Sequence, residues 1–365
     1  MSGGRSADLV FLHPGTLDTP TGGYVYDRAL VDALRHAGIS VETVSLGSGY
    51  PAPAPDALNR ARSAFESLAD GQAVLVDGLA YGVLDEIAAP HAERLCIVAL
   101  VHHPLALESG LARDNAARLH AQETAALALA RRVIVTSPAT ARIVSGDFGV
   151  AEETILVVEP GARPGAGPVA LPPKAERAAS SVPRLVAVGS LVPRKDYPTL
   201  LAALAGLEGP FRLDVAGSDG FDPCHAAMLR ARVTDSGLAG RVFLHGALPR
   251  PQIDRLYAQA DLFVLTTLYE GYGIAFVEAM AAGLPIVATG EGAVRDTVPA
   301  EAGIVLGNGD IDGVAEAIRD LLADPERRIA MGHAARRHAA GLPGWDEQAH
   351  KVAALLEGLT RETSA

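Results

Sequence analysis

Short apolar runs alternate with helix-patterned segments along this chain, and the alternation starts over halfway, which leaves few folds open to it. Asp8–His13 is an apolar run ending at Pro14-Gly15, a strand followed by a turn. Tyr24–Ala37 carries apolar residues at helical spacing, with Gly38 as its stop. Ser40–Leu46 alternates as a strand does, and Ala73–Val76 and Leu95–Val101 are compact runs typical of buried parallel strands. The alanine-rich Asn115–Ala130 is helical, and Arg132–Thr136 and Ile155–Val158 are further strands. The second series opens with Arg184–Val188 as a strand, Tyr197–Ala205 as a helix and Phe211–Ala216 as a strand. Arg241–Leu244, Leu262–Leu265 and Pro285–Ala288 continue it, with helices between them, and Trp345–Leu359 is a helical pattern with no strand after it.

Repeated strand–helix units require a parallel sheet covered on both faces. Two such series in 365 residues exceed one ordinary core. They predict an α/β protein of two Rossmann-like parallel-sheet domains facing a central cleft, where ligands meet the carboxyl ends of strands. The expected N-terminal domain spans residues 1–170 and is rejoined by the C-terminal helix 346–365, while the C-terminal domain spans 184–345. Residues 171–183 read as the linker, within a Gly161–Pro183 stretch rich in proline, glycine and alanine.

Composition removes several function classes. Hydrophobic residues make up 49% and charged residues 20%, the balance of a folded chain rather than a disordered one. A net charge of -12 argues against sequence-independent nucleic-acid binding, which needs cations against phosphates, but leaves room for a local basic pocket around one diphosphate. Aromatic residues are 5%, too few for a surface of stacked rings. Cys96 lies in an apolar run and reads as a core thiol; Cys224 lies in a polar loop, either exposed or packed, and no disulfide framework or zinc pattern is present. The start lacks a basic-then-apolar leader, and no uncharged apolar run reaches spanning length, so the expectation is a soluble, cytoplasmic protein without stable membrane insertion.

The most informative stretch is Glu270-Gly271-Tyr272-Gly273-Ile274, which continues through Glu278 and Ala279-Met280 to Gly283-Leu284-Pro285. It reads as a polar, glycine-bearing loop running into an apolar helix that stops at Gly283. Gly271 and Gly273 allow the backbone to approach a ligand closely, and helix N-terminal amides there would face an anion. Glu270 lies in the loop and Glu278 in the helix, so the two can address different parts of one ligand; carboxylates suit sugar and ribose hydroxyls. Taken alone, the pair reads as a helix-start acid, Glu270, and a solvated helix residue, Glu278.

Context resolves the choice. The phrase EGYGIAFVEAMAAGLPIVAT resembles the signature of the retaining GT-B glycosyltransferases of family GT4, with two glutamates at the same spacing among matching glycines, Ala-Met and Gly-Leu-Pro. Thr21-Gly22-Gly23 is similar to that family's glycine-rich donor loop, and Val188–Lys195 resembles its Arg-Lys phosphate clamp. Phe243-Leu244-His245-Gly246 and Tyr257–Asp261 also match its pattern, so the resemblance covers nearly the whole chain and is strongest from Arg184 to Ala288. It implies that Arg194 and Lys195 hold the donor diphosphate and stabilise the leaving group, with Gly189 and Ser190 beside them. It implies that Glu278 binds the ribose and Glu270 the donor sugar, with Gly271, Tyr272, Gly273 and Ile274 forming the intervening loop. Gly22 and Gly23 would line the diphosphate from the other domain. Ser190 departs from the arginine many members carry there, which leaves fewer cations around the phosphate.

His102 and His103 follow the strand Leu95–Val101, and a residue at a parallel strand's carboxyl end faces the ligand crevice. The resemblance places His102 beside the donor sugar, and His103 aligns less well; a structural histidine capping loop carbonyls is the alternative for both. No metal constellation stands out: Asp310-Ile311-Asp312 reads as a helix start with Asp312 as the N-cap. The resemblance therefore implies a retaining, metal-independent hexosyltransferase without a cofactor. Its donor would be a UDP- or GDP-linked sugar and its acceptor hydroxyl would belong to a small molecule, glycan or lipid-linked sugar. Two other readings use the same donor grip: an epimerase-type isomerase acting on the nucleotide-sugar, and a non-catalytic nucleotide-sugar-binding protein.

Overall fold

The computed structural model describes residues 7–19, 21–161 and 182–364. Most of the expected linker, 171–181, lies outside the described residues. The described residues divide into two compact units, one running to Gly161 and resuming at Pro343, the other ending at Leu342.

In the first unit β1 (Leu9–His13), β2 (Val41–Ser45), β3 (Ala73–Asp77), β4 (Cys96–Val101), β5 (Arg132–Val135) and β6 (Ile155–Val157) form one parallel sheet. Its order is β2-β1-β3-β4-β5-β6. Helices α1 (Gly22–His36), α2 (Pro55–Ser67), α3 (Gly78–Tyr81), α4 (Asp85–Ala88), α5 (Arg113–Ala128) and α6 (Pro138–Phe148) link the strands. Every residue of β4 is buried, which is why it reads as an unbroken apolar run rather than an alternating one. Helix α1 begins where the Thr21 hydroxyl accepts a hydrogen bond from Tyr24 N, and it buries Tyr26, Asp27, Leu30, Val31 and Leu34. Leu12, Leu34 and Ile97 are wholly buried, each contributing about 1.5–3 kcal/mol through removal from water.

The second unit repeats the plan with β7 (Arg184–Val188), β8 (Arg212–Ala216), β9 (Val242–Leu244), β10 (Leu262–Glu270), β11 (Ile286–Gly292) and β12 (Gly303–Leu306). These also pair in parallel, in the order β12-β11-β10-β7-β8-β9. Its helices are α7 (Tyr197–Ala205), α8 (Pro223–Asp235), α9 (Arg250–Gln259), α10 (Ile274–Ala281), α11 (Val294–Thr297), α12 (Ile311–Ala323) and α13 (Pro325–Ala340). The last helix, α14 (Trp345–Ser364), belongs to the first unit, where the Trp345 ring packs edge-on against Tyr26 of α1. Both units thus have the expected α/β, Rossmann-like parallel sheets. No helix among the described residues is long and apolar enough to cross a membrane.

Three expectations need correction. Strand β10 does not stop with its apolar run at Leu265. It continues through buried Thr266 and Thr267, whose hydroxyls donate to the carbonyls of Asp196 and Arg194 at 2.8 and 3.1 Å. Glu270 is therefore the last residue of a strand rather than part of a loop, and the β10–β11 register shifts between Thr266 and Tyr269. Asp310, not Asp312, caps α12, its carboxylate accepting from Gly313 N at 2.9 Å. The strand β12 was not anticipated at all.

Candidate active site

The order of the second sheet reverses between β7 and β10, and ligands of open parallel sheets bind outside the carboxyl ends at such a reversal. The residues leaving β7 are Gly189 and Ser190, followed by a single helical turn, Pro193–Lys195. Tyr197 OH donates to Gly189 O at 2.7 Å and fixes the start of this loop. The end of β8 lies so close that a Cβ on Gly217 would fall 1.8 Å from Gly189 O, so only glycine fits there. Asp196, at φ 39°, then turns the chain into α7.

From the other side of the reversal, Glu270 closes β10 and brings its carboxylate to the two cations. Lys195 Nζ lies 2.5 Å from Glu270 Oε1, and Arg194 Nη1 lies 3.5 Å from Oε2 while donating to Tyr269 O at 2.9 Å. Glu270 is only 7% exposed. Burial pushes its carboxyl up, but the charges of Lys195 and Arg194 outweigh burial and hold it below the usual glutamate value. The result is a partly buried cluster with two cations on one anion, a net positive patch suited to an anionic ligand.

Beyond Glu270 the chain passes Gly271 and the buried Tyr272, whose carbonyl accepts from Thr297 Oγ1 at 2.6 Å. Gly273 stands at φ 95° as the N-cap of α10, and Ile274 is the helix's first residue. A side chain at Gly273 would meet the Phe276 ring at 2.6 Å, so this entry to the helix needs glycine twice over. Glu278, one turn further along, does not join the Arg194–Lys195–Glu270 cluster's hydrogen bonds. It forms an ion pair with Arg250 at the start of α9 and accepts from Tyr257 OH at 3.2 Å. Arg250 also pairs with Asp254 at 2.7 Å. Arg250 and Tyr257 were not foreseen as partners of Glu278, because side chains 28 and 21 residues away in sequence meet it only through the fold.

The first unit has its own candidate site, at the reversal between β1 and β3. His102 directly follows β4, and its Nε2 lies 2.8 Å from Asp27 Oδ1 and 3.7 Å from Asp77 Oδ2. Gly22 and Gly23 open α1 nearby; a Cβ on Gly23 would sit 3.6 Å from the His102 ring, an ordinary contact. His103 turns elsewhere, with Nε2 3.9 Å from Glu108. The aspartates were missed in the sequence, yet Asp77 ends an apolar run and Asp27 lies on the face of α1 that carries Leu30 and Leu34. Asp27, Asp77 and His102 also bring three metal-capable atoms within 4.8 Å of one another, a grouping the sequence pattern did not reveal.

Residues 173–338 match the family described as glycosyl transferases group 1. Among curated relatives, the chain is 33% identical over 188 residues to a GDP-mannose-dependent alpha-(1-6)-phosphatidylinositol monomannoside mannosyltransferase of Mycobacterium tuberculosis, covering 48% of each chain. It is 30% identical over 253 residues to a D-inositol 3-phosphate glycosyltransferase of Catenulispora acidiphila, covering 64% of this chain and 59% of that one. The chain thus spans about half the length of the first curated relatives it matches. In fold it resembles the sucrose-phosphate synthase structure from Thermosynechococcus elongatus, with a TM-score of 0.79, 21% identity, and coverage of 97% of this chain and 100% of that one.

Proposed function

We propose, from the match of residues 173–338 to the glycosyl transferases group 1, that the chain transfers a hexose from a nucleotide-sugar to an acceptor hydroxyl with retention of configuration. The observation that carries this reading is the Arg194–Lys195–Glu270 cluster at the β7/β10 reversal. Lys195 supplies a point charge and Arg194 a planar fork of donors, the pairing that suits a diphosphate. Glu270 keeps both cations in place and has lone pairs left for a sugar hydroxyl. Glu278, pinned by Arg250 and Tyr257, takes the ribose hydroxyls.

In the reaction, the bond from the anomeric carbon to the diphosphate oxygen breaks and a bond from that carbon to the acceptor oxygen forms on the same face. The acceptor proton passes to the departing diphosphate. Arg194 and Lys195 stabilise the negative charge that grows there, and no divalent metal is needed for that work. His102 receives a hydroxyl of the substrates at the first unit's reversal. The donor is a GDP- or UDP-linked hexose; a GDP-mannose-dependent relative supports the first. The acceptor is a small polyol, a glycan or a lipid-linked sugar. The isomerase and the non-catalytic readings find no support among the relatives' names.

Titration calorimetry with UDP and GDP tests the proposal. One of the two is expected to bind at a single site. Lys195→Ala and Arg194→Ala are then expected to lower turnover by about two to three powers of ten. Absence of binding by either nucleotide, or near-normal turnover in both variants, contradicts it.

A further inference from the structure

Three segments of the first unit bring charged groups to one buried point. Asp77 is the last residue of β3, His102 follows β4, and Asp27 sits on the second turn of α1. Asp27 is wholly buried and Asp77 is 3% exposed. Leaving two bare carboxylates in such surroundings costs several kcal/mol for each ion. Among the described residues no lysine or arginine pairs with either of them; they meet His102 and Leu79 N. Positive charge must therefore come from protons or from a bound cation.

The geometry favours protons. With Asp27 ionised, and so only accepting, the 2.8 Å contact from His102 Nε2 to Asp27 Oδ1 places the ring proton on Nε2. The second Asp27 oxygen, Oδ2, is buried without a hydrogen-bond partner among the described residues, and ligand atoms of Asp27, Asp77 and His102 lie within 4.8 Å of one another, so like charge as well as burial opposes ionising both carboxyls. The other Asp77 oxygen, Oδ1, accepts from Leu79 N at 2.7 Å, which orients that carboxyl. The ring itself is held. Tyr26 packs edge-on against it at 5.0 Å, and Tyr26 is anchored through its hydroxyl to Val158 O and through its ring to Trp345. The His102 carbonyl accepts from Thr136 Oγ1 at 3.3 Å.

We propose that Asp27 and Asp77 are positioning residues that share one proton and lock His102 as its Nε2–H form, leaving Nδ1 to accept a hydrogen bond from a hydroxyl-bearing ligand. That the ligand is a sugar or acceptor hydroxyl rests on the function proposed above; the state of the ring does not. Burial raises Asp27 to about 7 and raises Asp77 well above the carboxylate range, and burial lowers His102, which agrees with a neutral ring beside one shared acid proton. The other titratable groups acting on the cluster are Tyr24 and Tyr26 of α1; burial and the aspartates push Tyr24 up to about 12, and burial and Asp27 push Tyr26 well above its usual value, so both stay neutral with it.

Ring nitrogen NMR on the full chain labelled with ¹⁵N-histidine tests this, with His102→Gln to assign the signal. The wild type is expected to show a slowly exchanging, downfield proton on Nε2 of His102 at neutral pH. Asp27→Leu is expected to abolish it and to lower turnover roughly a hundredfold, with nucleoside diphosphate affinity unchanged. Asp77→Asn, whose amide mimics the protonated acid, is expected to keep the signal and to stay within a few-fold of wild-type turnover, whereas Asp77→Leu loses both. If Asp27→Leu does not fold, the two Asp77 variants carry the test. A proton on Nδ1, an Nε2 signal indifferent to Asp27, or loss of the signal in Asp77→Asn overturns the proposal. Stoichiometric zinc retained after dialysis and lost in the Asp77→Leu variant also overturns it, in favour of a cation site. Failure of the wild type to bind UDP or GDP overturns the donor reading instead and leaves the ring result standing.

Discussion

Replacing Lys195 by methionine isolates the charge cluster from every question about substrates. Methionine keeps most of the apolar stem and deletes the ammonium. The wild-type contacts are 2.5 Å from Lys195 and 3.5 Å from Arg194 to the Glu270 oxygens. At an effective dielectric of about 20 these correspond to gross attractions of about 7 and about 5 kcal/mol, so Lys195 provides the larger part. The net cost is smaller, because the ammonium's own desolvation disappears with it. Removing one partner of a buried pair costs roughly 3–5 kcal/mol, and the surviving Arg194 places this variant at the lower end, about 3 kcal/mol. The pH dependence has a definite sign. The Glu270 carboxyl is held below its ordinary 4.5 in the folded chain, so its stabilisation is present above that value and is lost as pH falls through the depressed folded value. In Lys195→Met burial is opposed only by Arg194 and the hydrogen bond from Thr267, the folded value rises, and acid loss of stability begins at higher pH. The single tryptophan, Trp345, lies in the other unit, so the readout is hydrogen exchange of β7 and β10 amides across pH. A Lys195→Met, Glu270→Gln double variant completes the cycle, with an expected coupling of about 2–3 kcal/mol. Unchanged β10 protection, or an acid limb that does not move, would refute the electrostatic reasoning.

Two further outcomes follow from the same site. Glu278→Ala is expected to weaken nucleoside diphosphate binding about ten- to a hundredfold, the loss of a charged hydrogen bond worth roughly 1.5–3 kcal/mol, with the unfolding transition little changed; calorimetry on the folded variant checks it. Turnover is expected to survive excess chelator, since the proposed mechanism assigns the charge work to Arg194 and Lys195, and activity that chelator abolishes and magnesium or manganese restores would contradict that mechanism.

The two parallel sheets were legible because buried parallel strands are written as apolar runs: Leu95–Val101 and Arg184–Val188 stand almost as read. Strand β10 was half legible. Its first four residues are apolar, but its continuation rests on threonine hydroxyls finding carbonyls 70 and 73 residues away, which no local pattern records. The same gap explains why Glu270 was placed in a loop. The cationic pair Arg194-Lys195 could be named from the sequence, but its meeting with Glu270 is a property of the β7/β10 adjacency. In the first unit His102 was found by its place after a strand. Asp77 is the last residue of β3, at the same carboxyl edge of the sheet, and Asp27 is a charge on an apolar helix face; both were open to the same reasoning that found the histidine.

The stereochemistry of the first-formed product tests the central claim most directly. The full chain is incubated with an α-linked nucleotide-sugar that it binds and with candidate acceptors, and the anomeric proton of the product is followed by NMR from the earliest turnovers. Same-face transfer, with the diphosphate held by Arg194 and Lys195 and taking the acceptor proton, predicts an α-linked product released together with nucleoside diphosphate, and its loss in Lys195→Ala. A β-linked product, or sugar transfer that proceeds equally well without Lys195, would contradict the account.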